Sequence, residues 1–302
     1  MRTQGVAAHP ALRAGALALA ATVLVGCQAV AGVTPTPVPA VSGAAVPPQG
    51  ATAASASPAT ATATAVASAT ANAPSPGSQH PTPEAPLAGR VIVIDPGHNG
   101  VWTRRELREV PSGNGRTKPC NSSGTATNDG YPEHAYNWAQ AKALAAALRA
   151  RGARVLLTRP DDHGEGPCVN RRSTLANDER ADALVSIHAD GSFASGARGF
   201  HVIVSTTMAG GSPVEKASLA LARTLRHALE NGTPMPRSTY IGEGSALSLR
   251  SDLGTLNLSR RTAVMLEMGN MRNARDARLL RSASFREKAA EALADGLVAA
   301  LA

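Results

Sequence analysis

The chain has 302 residues, a formal net charge of +8 and only 3% aromatic residues. A basic surface draws anionic partners, but no stacking aromatics interleave with the arginines, which argues against nucleic acid. The length allows one substantial domain plus a long extra segment, and that segment lies at the N-terminus.

Arg2 and Arg13 open the chain with positive charge, and residues 14–25 form an apolar run of small side chains. That run is too short to cross a bilayer, so residues 1–27 read as a signal peptide. Leu24-Val25-Gly26-Cys27 matches a lipoprotein cleavage box, with Cys27 as the lipidated thiol; the alternative is an ordinary secretory signal. In either case the mature protein is exported, and in the first it is anchored to the outer face of the cell membrane by its lipid. Residues 28–83 contain no Asp, Glu, Lys or Arg. Such an Ala/Thr/Pro/Ser segment cannot bury enough apolar surface to offset its chain entropy. Residues 28–86 are therefore expected to be a disordered tether, roughly 45 Å end to end as a flexible coil. A glycosylated stalk is a further possibility of the same composition.

The folded part is expected over residues 87–302. Val91-Ile92-Val93-Ile94 is a β-branched run of the kind buried on both faces of a sheet. Asp95-Pro96-Gly97-His98 stops it, which puts His98 just beyond the strand. Residues 101–130 read as a long polar loop holding Cys120. A helix starts at Pro132, with Glu133 at its positive end and Gly152 as its stop. Residues 154–158 form a second strand, followed by a loop with Cys168 and a short helix near 172–180. A third strand covers 183–187, with His188-Ala189-Asp190-Gly191 as its exit loop. Further strands are expected at 200–204, 246–250 and 262–266, the last leading into Glu267. Helices are expected at 217–229 and 284–301. This alternation predicts an α/β fold, a mixed, mostly parallel sheet with helices on both faces. Ligands in such sheets gather beyond the carboxyl ends of the strands.

Four residues gather at those edges: His98, Glu133, His188 and Glu267. Taken singly, each histidine suits a turn hydrogen bond, Glu133 a helix dipole and Glu267 an ion pair with a nearby arginine. Together they suit a metal hydrolase. Two imidazoles and a carboxylate hold Zn²⁺ with a position left for water, and a further carboxylate takes that water's proton. His134 adjoins Glu133 but points about 100° away along a helix. His80 lies in the tether, His201 within a strand and His227 on a surface helix. Setting Cys27 aside, Cys120 and Cys168 are expected to pair as a disulfide in an oxidising compartment. Neither has the spacing of a soft metal ligand. The arginines at 272, 275, 278 and 281 read as a solvated face, with an anionic wall polymer or phospholipid as the functional alternative.

The local sequences are more specific. Ile94-Asp95-Pro96-Gly97-His98, Glu133 opening a helix, Arg172 with Ala176-Asn177, Val185-Ser186-Ile187-His188-Ala189-Asp190 and Met265-Leu266-Glu267-Met268-Gly269-Asn270 occur in order. They resemble the motifs of the zinc-dependent N-acetylmuramoyl-L-alanine amidases, over about residues 90–302. The likeness is greatest to the small members with one catalytic domain and one disulfide. It implies one Zn²⁺ on His98, Glu133 and His188, with Glu267 catalytic. The implied reaction is hydrolysis of the bond between N-acetylmuramic acid and L-alanine of peptidoglycan, in wall remodelling or daughter-cell separation; the protein is expected to be a monomer. It also marks Arg172 and Asn270 as candidates for substrate contact; Asn270 stands where a large apolar residue often follows the glycine. A zinc peptidase acting within the stem peptide and a non-catalytic wall-binding lipoprotein are the rival readings.

Overall fold

A computed structural model of the chain describes residues 85–302. The expected signal peptide, Cys27 and all of the tether but its last two residues lie outside the described residues. In chain order the first elements are β1 (Val91–Pro96), β2 (Glu109–Gly113), β3 (Arg116–Pro119), α1 (Glu133–Ala150), β4 (Arg154–Leu157) and α2 (Val169–Asp178). There follow β5 (Ala183–Asp190), β6 (His201–Ser205), α3 (Gly211–Gly232), β7 (Leu247–Arg250) and α4 (Gly254–Asn257). The last are β8 (Ala263–Asn270), α5 (Ala274–Arg281) and α6 (Ala283–Leu301).

Six strands form one sheet in the order β4-β1-β5-β8-β6-β7. All neighbours are parallel except β6 and β8. The expected mixed, mostly parallel sheet is the observed one, and its central strands read as continuous apolar runs because both faces are covered. Ile92, Ile94, Val185, Ile187, Val264 and Leu266 face a core with α1, α3 and α6. The alternate residues Val93, Leu184 and Met265 pack with Ala176 and Leu256, from α2 and α4, on the other face. No helix of the described residues is long and apolar enough to cross a membrane.

Three local expectations need correction. The stretch 101–130 is not one loop: it holds a 3-10 turn at Arg104–Leu107 and the β2–β3 hairpin. The hairpin strands carry Pro111 and Gly113 and show no apolar alternation. Its turn is Asn114-Gly115, a pair the expectation of one polar loop passed over; both adopt positive φ (56° and 69°), the requirement of a two-residue type I′ turn. Strand β5 continues through His188 to Asp190, and β8 runs past Glu267 to Asn270, so both residues lie within strands. The arginines after residue 270 build helix α5, capped by the Asn273 side chain on the amides of Arg275 and Asp276. Arg275, Arg278 and Arg281 on it are exposed, as a solvated face requires, while Asp276 is buried beneath them.

Cys120 and Cys168 form the expected disulfide, 48 residues apart in sequence. It fastens the end of the hairpin to the start of α2. By the chain-entropy argument such a loop contributes up to about 4 kcal/mol. Reduction is expected to lower the thermal midpoint of the folded domain, as followed by circular dichroism with and without reductant. An unchanged midpoint, with two thiols titrated, would contradict this.

Candidate metal centre

The centre is assembled at the C-terminal edge of the sheet from three separate elements. Strand β1 ends at Pro96, and the chain turns sharply so that His98 takes a left-handed backbone conformation, φ 61°. A non-glycine residue there is strained, and the turn is held by a buried side chain. Arg172, from α2, is 2% exposed and donates all five of its N–H groups. Nη1 reaches Asp95 Oδ1 at 2.6 Å and the Pro96 carbonyl; Nη2 reaches the His98 carbonyl at 2.8 Å and Asn99 Oδ1; Nε reaches the Pro167 carbonyl. Burial pushes the Asp95 carboxyl upward. Arg172, with hydroxyl donors from Ser186 and Thr158, outweighs that and holds it below its ordinary value.

Glu133 is the first residue of α1, at the positive end of the helix, and is 4% exposed. Its Oε2 accepts from the Thr125 amide at 3.0 Å and its Oε1 from the Ala189 amide at 3.1 Å. The same carboxylate stands 2.9 Å from His98 Nε2 and 2.9 Å from His188 Nδ1. Burial opposes its ionisation, but the two imidazoles hold Glu133 well below the ordinary carboxylate range. Burial also lowers both rings; at His98 the Glu133 charge reverses the shift upward, while His188 stays lowered. Space around the cluster is set by absent side chains. A Cβ on Gly97 would sit 2.2 Å from the His188 ring, and one on Gly124 would sit 2.9 Å from both Glu133 Oε2 and the His98 ring.

The three groups fit a metal ion. One nitrogen or oxygen from each of His98, Glu133 and His188 lies within 4.8 Å of the others. The two facing imidazole nitrogens are 3.2 Å apart. Ligands of a tetrahedral ion bonded at about 2.0–2.1 Å stand roughly 3.3 Å from one another, so the cluster already has nearly that span. His98 Nδ1 lies 2.8 Å from the Ser122 carbonyl; donating there leaves Nε2 with its lone pair toward the centre.

Glu267 lies in register with His188 on the neighbouring parallel strand and with His201 on the antiparallel side. It lines the same cavity as the three ligand candidates but is not one of the cluster. Its Oε2 has no hydrogen-bond partner among the described residues. Burial, then the charges of Glu133 and Asp190, push its carboxyl well above the ordinary range, with Arg250 opposing. Of the other histidines, His134 turns outward to Asp162 at 2.9 Å. Burial pushes His201 down to about 4, so it is neutral.

The structure engages Arg172 and Asn270, the two candidates for substrate contact, in bracing loops. Asn270 is 1% exposed, donates to the Ser192 and Ala197 carbonyls and accepts from the Arg272 amide. It braces the loop after β5, as Arg172 braces the turn after β1. The backbone groups of Ser122 and Thr125, and Tyr240 donating to Asp190 at 2.8 Å, could not be found by reading residue types.

A family model described as N-acetylmuramoyl-L-alanine amidase matches residues 92–299. The chain belongs to this family. It is 45% identical to the N-acetylmuramoyl-L-alanine amidase Rv3717 of Mycobacterium tuberculosis over 218 residues, 72% of this chain and 89% of that protein. The crystal structure of the N-acetylmuramyl-L-alanine amidase Ami1 of Mycobacterium smegmatis superposes with a TM-score of 0.68 at 41% identity, covering 71% of this chain and 98% of that one. A more distant relative is the probable cell wall amidase LytH of Staphylococcus aureus, 28% identical over 70% of this chain and 58% of its own length.

Removing the Arg172 guanidinium would leave Asp95 buried and unpaired. Arg172→Met is expected to cost about 3–5 kcal/mol of folding stability and to reduce metal retention at the same time. Chemical denaturation beside elemental analysis checks both; loss of neither would show that the turn holds itself.

Proposed function

We propose that this amidase cuts the bond between N-acetylmuramic acid and L-alanine with one Zn²⁺ held by His98, Glu133 and His188, and with Glu267 as the proton carrier. The observation that supports this most is the placement of Glu267: its unpartnered oxygen lies in the cavity of the cluster, one strand from His188. Two imidazoles and one carboxylate are a donor set of catalytic zinc, with a further position open. Zinc bound there supplies Lewis acidity, acidifying a water and polarising the scissile carbonyl.

The protein's own groups do the rest. Glu267 takes a proton from the water as its oxygen attacks the lactyl carbonyl carbon. It then returns a proton to the alanine nitrogen as the carbon–nitrogen bond breaks. The products are a muramoyl carboxylate and a stem peptide with a free amine. Arg172 and Ser122 keep the His98 ring in position, and the Thr125 and Ala189 amides hold the Glu133 carboxylate in place.

We also read residues 1–27 as a lipoprotein signal with Cys27 as anchor, and residues 28–86 as a tether for an exported, monomeric catalytic domain over residues 87–302. This places the enzyme between membrane and wall, where it remodels peptidoglycan.

Glu267→Gln keeps the side-chain shape and removes the base. It is expected to retain zinc while turnover of peptidoglycan falls by ~10²–10⁴-fold. His188→Ala is expected to lose metal and activity together. Zinc content by elemental analysis, beside release of free alanine amine, separates the roles. Near-wild-type turnover in Glu267→Gln, or zinc loss equal to that in His188→Ala, would refute them.

A further inference from the structure

The cavity of about 400 Å³ at the metal centre opens beside a second groove of about 350 Å³. Lys118, Asn121, Ser122, Ser123 and Val169 line both. The outer side of the groove is apolar, with Trp102 46% and Leu107 56% exposed. Besides the fully engaged Arg172, Lys118 is the one lysine or arginine among the described residues that lines the central cavity. Its Nζ donates only to the main-chain carbonyl of Asp252, 3.1 Å away. The Asp252 carboxylate is held instead by the Arg250 guanidinium. Asn121 stands on the same wall, 6% exposed; its Oδ1 accepts from the Ser122 amide, and its Nδ2 has no partner among the described residues. The cavity is also lined by acids, Glu267 and Asp190.

We propose that Lys118 recognises a carboxylate of the stem peptide, on the amine side of the scissile bond, with the Trp102 groove taking the adjoining aliphatic part of that peptide. The inference rests on the amidase reading above. On the shared wall the groups with capacity left over are donors, the Lys118 ammonium and the Asn121 amide N–H, while the Ser122 and Ser123 hydroxyls lie against the His98 ring and the Gly124 carbonyl. Donors alone suit a carboxylate, whereas sugar hydroxyls need acceptors as well. The charges also fit the polarity of the peptide. Its new amine forms beside Glu267 and Asp190, and its acidic side chain or α-carboxyl meets the Lys118 ammonium. Lys118 touches no reacting atom; it sets which peptide is held.

The test uses the full zinc-loaded chain and two muramoyl dipeptides that differ only at the second residue, as carboxylate or carboxamide. Wild type is expected to prefer the carboxylate by about tenfold in kcat/KM, the worth of one charge-assisted hydrogen bond. In Lys118→Met that ratio is expected to fall toward one, through KM rather than kcat. Lys118→Arg should restore it, and Lys118→Glu should invert it. The proposal is overturned if wild type shows no preference, or if Lys118→Met keeps the wild-type ratio. It is equally overturned if Lys118→Met and Trp102→Ala lose only the response to glycan length, which would assign the groove to sugar. Wild type that holds zinc and cleaves neither dipeptide nor peptidoglycan would instead refute the amidase reading beneath it.

Discussion

A guanidinium is buried near the centre of this molecule because a turn must be held in a conformation its own residues resist. His98 sits at φ 61°, and nothing in Asp95-Pro96-Gly97-His98 alone enforces that. Arg172 does, by donating to Asp95, to the carbonyls of Pro96 and His98, and to Asn99. The arrangement ties helix α2 to the end of β1, and through His98 to the cluster. A buried ion pair of this kind is weak evidence for net stability, since desolvation offsets much of its attraction. Its contribution is to geometry: the Arg172 N–H groups hold the turn at Pro96, His98 and Asn99, and the Ser122 carbonyl orients the His98 ring.

The sheet provides the other half of the constraint. Because β5 and β8 are parallel and in register, His188 and Glu267 are direct neighbours on one face. The helix α1 brings Glu133 to the same edge by its N-terminus, where backbone amides and dipole both favour a carboxylate. Gly97 and Gly124 allow the approach. Two imidazoles, one ionised carboxylate and one carboxyl biased toward its neutral form thus share a cavity. Burial and neighbouring charge, acting on chemically identical side chains, push Glu133 and Glu267 in opposite directions. That divergence fits the proposed division of roles, a cation ligand at Glu133 and a proton carrier at Glu267.

Much of this was legible from residues 90–302. The β-branched runs at 91–94 and 183–187 announced strands buried on both faces, and Pro132 with Glu133 announced a helix start. Order and local motif selected His98, Glu133, His188 and Glu267, and export selected the Cys120–Cys168 pair. What escaped is physical in origin. Strand β2 has no alternation because its Val110 packs against the disulfide rather than a sheet core, and the Asn114-Gly115 pair, the one local signal of its turn, was passed over. The extension of β5 through His188 depends on pairing with β8, a partner some 80 residues away that local pattern does not contain. Arg172 and Asn270 carry polar groups in the right motifs, yet their donors go to carbonyls of distant loops, and burial is a property of the fold rather than of the residue.

The central claim is that one zinc ion is held by two imidazoles and one carboxylate, with neither Glu267 nor sulfur among its ligands. X-ray absorption at the zinc edge of the purified chain tests it most directly. The expected spectrum shows nitrogen and oxygen neighbours at about 2.0–2.1 Å, with the multiple scattering of two imidazole rings, and is unchanged in Glu267→Gln. A sulfur shell near 2.3 Å, a single imidazole, or a coordination shell altered by that substitution would contradict the account.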